Sequence, residues 1–313
     1  MADTRARFCW FAWASLAYTV LVILFGAVVR ITGSGAGCGQ HWPTCHGEVI
    51  PVSPTIETMI EFSHRATSGL CGLVVIGLLL AAIRLFPRGH AARVGAWLSL
   101  VFTITEALVG AGLVRFGLVG HNDSVARAVV MAIHLVNTSL LTGSLAITAW
   151  AAGPRDVATT RVPARTVWLT VASLVGLLVI GTSGAVTALG DTLYPVAPGA
   201  IAERIERDLG AGAHFLQRLR LMHPLLACGL GFFTGVVAYG LSGARAAGPA
   251  VRRWGTWVIV LVVVQLAAGV VNVMLSAPGW MQVVHLLVGT ALWTAAVVFT
   301  LHVVRPGRPG TGA

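Results

Sequence analysis

Four histidines, His64, His134, His223 and His285, lie within or at the edge of strongly apolar stretches, at matching places in the two halves of the chain. An ionisable ring at membrane depth is expensive, and such residues are functional by default. One alone is often a hydrogen-bonding residue in helix packing. Four in register point instead to ligation of a metal or a heme, because packing residues have no reason to recur together. Helical bundles with inward-facing histidines hold heme iron in this way. The other six histidines, His41, His46, His90, His121, His214 and His302, fall in loops or near helix ends and read as solvated or interfacial.

The residues around the first pair add chemistry. Glu61 precedes His64 by three positions, so on a helix both project to one face. A carboxylate beside a heme ligand is a candidate acid/base or cation-stabilising group. Upstream runs "GSGAGCGQHWPTCHGEVIP". Its Cys38 and Cys45 can pair as a disulfide on an oxidising face, or join His41 and His46 in a zinc site. The spacing is not that of a standard zinc knuckle. Arg65, Arg218 and Arg220 stand where heme propionates need cationic partners. Glu106, in mid-helix, needs a partner that the sequence does not name. Cys9, Cys71 and Cys228 lie in apolar stretches and read as packing residues.

Positioning these groups takes membrane-spanning helices. The chain has 313 residues, 56% hydrophobic and 10% charged, with a mean hydropathy of +0.84. That excludes an ordinary soluble domain. Eight stretches reach spanning length, at 9–29, 63–86, 94–114, 125–151, 166–186, 221–241, 256–275 and 282–304. Backbone in lipid must satisfy its own hydrogen bonds, so they are helices. The first reads as an uncleaved helix, since it is too long for a signal-peptide core.

All 21 basic residues are arginine, and 13 fall at the N-terminus, in every second loop and at the C-terminus, with only Asp3 and Asp156 beside them. By the positive-inside pattern both termini are cytoplasmic. The formal charge of +10 therefore reports topology and not a nucleic-acid partner.

The halves also align. Gly26-Ala27-Val28 returns as Gly184-Ala185-Val186, His64 as His223, Glu106 as Gln265 and His134 as His285. The expected fold is an all-α polytopic membrane protein, with eight transmembrane helices forming two pseudo-symmetric four-helix bundles in parallel repeat. The bundles are expected at 1–153 and 154–313, joined through the linker 152–165. All four histidines then fall at similar depth toward the outer leaflet.

The loop, the "EFSHR" run and one histidine in each of helices four, six and eight closely resemble the bacterial heme A synthase family, over the whole chain. The resemblance implies oxidation of a ring methyl of heme O, through hydroxylated intermediates, to the formyl group of heme A. His64 and His134 would hold the substrate heme and Glu61 would act at the methyl carbon. His223 and His285 would hold a heme B cofactor, and Cys38–Cys45 would be a disulfide. The second half lacks the cysteine loop and has Arg220 three residues before His223, which fits one catalytic half and one electron-transfer half. By pathway logic the partner is heme O synthase, a protoheme farnesyltransferase; the electron acceptor has no signature, and a homo-oligomer is compatible. The implied location is a bacterial cell membrane. The residues also allow a di-heme b-type electron carrier, or a heme transporter or chaperone.

Overall fold

The computed structural model describes residues 2–153, 162–197, 201–245 and 247–304. Among them are helices α1 (Ala2–Ile31), α2 (Ile56–Leu85), α3 (Ala91–Arg115), α4 (Val125–Ala152), α5 (Ala164–Leu193), α6 (Ile201–Leu209), α7 (Phe215–Gly243), α8 (Pro249–Met274) and α9 (Gly279–Val303). All but α6 are long and apolar enough to cross a membrane. Among the described residues there is no strand, only an isolated bridge between Cys45 and Glu48.

Local sequence sets several helix starts. Thr55 accepts a hydrogen bond from the Thr58 N–H at the start of α2, and Ser124 accepts one from Arg127 N–H at the start of α4. Such side chains satisfy donors that the first helical turn leaves open. His90 and His214 do the same for α3 and α7.

The helices extend beyond the apolar stretches that announce them. α2 begins at Ile56 and not at 63, α5 continues to Leu193 and not 186, and α7 begins at Phe215 and not 221. Hydropathy falls where Glu57, Asp191, Gln217, Arg218 and Arg220 appear, but backbone hydrogen bonding carries through these polar residues. The short α6, with the sequence IAERIERDL, lies outside every expected segment and is amphipathic. The expected bundle boundary at 153/154 adjoins residues 154–161, which lie outside the described residues.

α1 packs on α2 and α4, α2 on α3, and α3 on α4, closing a ring of four helices. α5 packs on α7 and α9, α7 on α8, and α8 on α9. The two rings meet where α4 lies against α5 and α9, and α1 against α9. The first ring is filled at one end by Phe8, Ala12 and Leu16 of α1, Val75, Leu78 and Ala82 of α2, and Leu145 and Ala149 of α4. These recur at three- and four-residue spacings, the inward stripe of a helix. At its other end, which carries the cysteine loop, lie His64 and His134, while His223 and His285 hold the matching places in the second ring. They are the ninth residue of α2, the tenth of α4, the ninth of α7 and the seventh of α9.

Close packing between α3 and α4 depends on Gly95, where a Cβ would stand 2.5 Å from Thr148 Oγ1 and 3.1 Å from the Ser144 carbonyl. Gly95→Ala is expected to lower unfolding stability in detergent by about 1–3 kcal/mol, the usual range for overpacking. Gly240→Ala, where an added Cβ meets nothing within 4 Å, is expected to change the midpoint little.

Candidate functional site

At the loop end of the first ring, Glu61 is 3% exposed. Its Oε2 accepts the Cys38 backbone N–H at 2.7 Å, and its Oε1 pairs with Arg65. Arg65 in turn donates to the carbonyls of His41 at 2.8 Å and Thr44 at 2.7 Å. Cys38 and Cys45 form a disulfide with their Cα atoms 4.5 Å apart, which decides between the two readings of that loop. The loop is pressed onto α2: Thr58 Oγ1 donates to Gly37 O at 2.6 Å, and a Cβ on Gly37 would lie 2.5 Å from the Glu57 carbonyl. Only glycine permits that approach. Loop, disulfide and Arg65 together hold one carboxylate one helical turn from His64.

All four histidines are half-buried. Three of them lie against glycines of a neighbouring helix: a Cβ on Gly26 would stand 3.2 Å from His64, one on Gly184 3.0 Å from His223, and one on Gly269 3.3 Å from His285. The Nδ1 atoms of His64, His134 and His285 are buried and have no hydrogen-bond partner. His223 and His285 lie edge to face, with ring centroids 6.4 Å apart and ring planes 85° apart. Two imidazoles bound to one metal through nitrogens roughly 2.1 Å from it have about that separation. Unpartnered ring nitrogens, paired imidazoles and glycine relief beside the rings are the features a flat iron macrocycle needs, so these residues fit heme.

The ring environments differ. Ser183 Oγ lies 2.9 Å from His223 Nδ1, and Gln265 Nε2 lies 3.0 Å from His285 Nε2. In the first ring the counterpart of Gln265 is Glu106, whose Oε1 approaches His134 Nδ1 at 3.5 Å. Glu106 itself accepts from Asn137 Nδ2 and Thr138 Oγ1 of α4, partners that the sequence left unnamed.

The second ring carries a different loop end. Arg220 binds Asp208 through both Nε and Nη2, and its Nη1 reaches Asp191 at 3.3 Å and the Tyr194 carbonyl at 3.0 Å. Arg204 donates to the same Asp191 at 2.7 Å. Asp208 is fully buried and is supplied by α6. Arg218 donates to the carbonyls of Gly210 and Ala211 at the surface. Thus Arg65 and Arg220, expected beside propionates, already hold carboxylates of the chain itself.

Two arginines escaped the sequence reading. Arg30 of α1 donates to Ala188 O at 2.7 Å, to Thr192 Oγ1 and to Gln282 Oε1 at 2.8 Å, tying the first ring to α5 and α9. Arg127, 4% exposed, lies on the His134 face of α4 two turns nearer the loop end, and its Nε is unpartnered. The only available signal was an arginine seven residues before a histidine, the repeat of two helical turns.

A family model described as a cytochrome oxidase assembly protein, COX15-CtaA, matches residues 9–297. The chain belongs to the COX15-CtaA family. Among similar proteins, one from Thermus thermophilus named protoheme IX farnesyltransferase is 49% identical over 305 residues, covering 96% of this chain and 49% of that protein. The chain therefore spans about half the length of that relative. A heme A synthase of Exiguobacterium sibiricum is 45% identical over 95 residues, 30% of this chain and 32% of its own length. One from Halalkalibacterium halodurans is 46% identical over 123 residues, 39% of this chain and 41% of its own length.

Outside the membrane spans, Tyr194 Oη donates to Asp123 Oδ2 at 2.6 Å and stacks on His214, joining the α3–α4 loop to the second ring. The hydroxyl holds the Asp123 carboxyl below its ordinary value. Burial, then the bond to Asp123, pushes the Tyr194 phenol up to about 12. A depressed carboxyl favours the fold above the ordinary carboxylate range and loses that contribution as acid protonates it; a raised phenol loses its contribution only as pH rises through about 12. Tyr194→Phe is therefore expected to move the Asp123 titration upward, read by carboxyl-selective infrared or carbon NMR. Serine at both Cys38 and Cys45 is expected to speed hydrogen exchange at the Cys38 amide, while exchange in the α2 core stays slow.

Proposed function

We propose that this chain is a heme A synthase, in which the first ring presents the substrate heme O to Glu61 and the second ring carries a resident heme B. One observation carries the reading. The carboxylate held by the disulfide loop and Arg65 stands beside a heme-type histidine pair in one ring only, while the equivalent position in the other ring is Arg220.

His64 and His134 would hold the substrate by its iron, and His223 and His285 would hold heme B, which supplies a one-electron relay when bound. Glu61, fixed at both oxygens, would stand at the reacting methyl, where a carboxylate can take up a proton or stabilise developing positive charge. Converting a methyl and one water to a formyl group releases four protons and four electrons, in two two-electron stages with a hydroxymethyl between them. Those four electrons would have to be taken, one at a time, by an external one-electron acceptor, of which the chain carries no signature. Arg218 at the surface, and Arg65 and Arg220 by sharing their donors, are assigned to the propionates. Arg127 joins them, because its Nε is free. A shallow open groove on α4, lined by Ala132, Ile133, Val136, Asn137 and Leu140 with Thr182 of α5 beside them, could take a hydrocarbon substituent on the porphyrin.

The arginine distribution supports a bacterial cell membrane with both termini in the cytoplasm. Heme O synthase is the proposed supplier of substrate. In support, a protein twice as long that contains a close relative of this chain is named protoheme IX farnesyltransferase.

The test is expression in a host that makes heme O but not heme A, followed by extraction and mass analysis of hemes. The active chain is expected to yield hydroxymethyl or formyl heme. Glu61→Gln is expected to retain heme and stall at heme O or the hydroxylated stage, whereas His223→Ala and His285→Ala are expected to lose the resident heme. Heme-loaded wild-type protein that leaves heme O unchanged would favour an electron carrier or transporter and contradict the proposal.

A further inference from the structure

Glu106 is a carboxylate on α3 at the level of His134, inside an otherwise apolar span. Everything around it that can donate does so from α4. Asn137 Nδ2 donates to Oε2 at 2.5 Å, and Thr138 Oγ1 donates to Oε1. Asn137 is held in place by Thr105 Oγ1, which donates to its Oδ1 at 2.6 Å, and by its own second N–H on the Phe102 carbonyl at 2.8 Å. Thr138 also reaches the His134 carbonyl at 2.9 Å. The remaining neighbour is the His134 ring, whose Nδ1 lies 3.5 Å from Oε1 and has no other partner. A half-buried carboxylate ringed by donors is an acceptor site with one place left, and the His134 Nδ1 faces that place.

The second ring differs at the same position. There Gln265 is an amide, it meets the opposite nitrogen of His285, and His285 Nδ1 is unpartnered.

We infer that Glu106 is a positioning residue for the first-ring heme ligand. Its carboxylate takes the Nδ1–H of His134, leaves the Nε2 lone pair for iron, and makes this ring the stronger electron donor of the two ligand environments. The inference rests on the heme reading proposed above. A carboxylate behind a ligating histidine fixes its tautomer and raises its basicity. A stronger donor favours ferric iron. The first ring is therefore the lower-potential site, and an electron moves downhill from the substrate ring to the resident ring.

The experiment uses the full chain loaded with heme, in two backgrounds that isolate each site. His223→Ala with His285→Ala leaves the first-ring heme; His64→Ala with His134→Ala leaves the second. Redox titration with optical and electron paramagnetic resonance detection reads each one. E106Q is expected to shift the first-ring ferric/ferrous equilibrium toward ferrous about tenfold, 59 mV for a one-electron couple, and to change its resonance signature. In the background that keeps only the second-ring heme, E106Q is expected to leave that heme unaltered, which reports that the variant folds. Should E106Q lose heme from the first ring alone, E106D is expected to restore it with a smaller shift. An occupied first site whose potential and signature are unchanged in E106Q, or equal shifts at both sites, overturns the inference. Wild-type protein that binds heme only in the second ring overturns the substrate-site reading beneath it, and is told apart by the missing first-site signal.

Discussion

A charged group in a ring of apolar helices must be satisfied by the protein, because the bilayer interior offers it nothing. Glu61 is the group around which this structure is arranged. One oxygen takes the Cys38 amide and the other takes Arg65. Those two donors in turn require a loop pinned by a disulfide, a glycine at 37 that lets it touch α2, and an arginine that also ties down the carbonyls of His41 and Thr44. Remove that loop and a buried carboxylate is left with one partner. The constraint explains why the disulfide-pinned loop lies over the first ring.

The same backbone plan serves two electrostatic ends. Glu61 is replaced by Arg220, and a loop carbonyl network is replaced by Asp191, Asp208 and Arg204. Glu106 behind one histidine is replaced by Gln265 beside another. In each case the helix, the turn and the facing histidine are kept and the polar partner is changed. On the proposed reading, the lone carboxylate would serve a reacting group and the neutralised ion cluster above His223 and His285 a group that stays put. Arg30 joins the two environments by reaching from α1 to both α5 and α9.

Much of this was legible in the sequence. Eight apolar stretches gave the spans because lipid forces helices of a set length. The matching places of His64 and His223, and of His134 and His285, marked the level at which the structure sets all four, the ninth and tenth residues of α2 and α4 and the ninth and seventh of α7 and α9. Helix ends were less legible: α2, α5 and α7 run on through polar residues that hydropathy treats as boundaries. The helix α6 went unseen because its amphipathic pattern is short and lies outside any span. The arginines were hardest, since nothing in one sequence distinguishes Arg220, locked to Asp208, from Arg127, which keeps a free donor. Partners that meet only through the fold, such as Glu106 with Asn137, Thr138 and His134, could not be named before the helices were packed.

The central claim is that one ring is built for a reacting porphyrin and the other for a resident one. An experimental structure of the full chain with heme O and heme B added together tests it most directly. The account predicts heme O between His64 and His134 with a ring methyl toward Glu61, and heme B between His223 and His285. Heme O seated in the second ring, or in the first with every methyl turned away from Glu61, would contradict it.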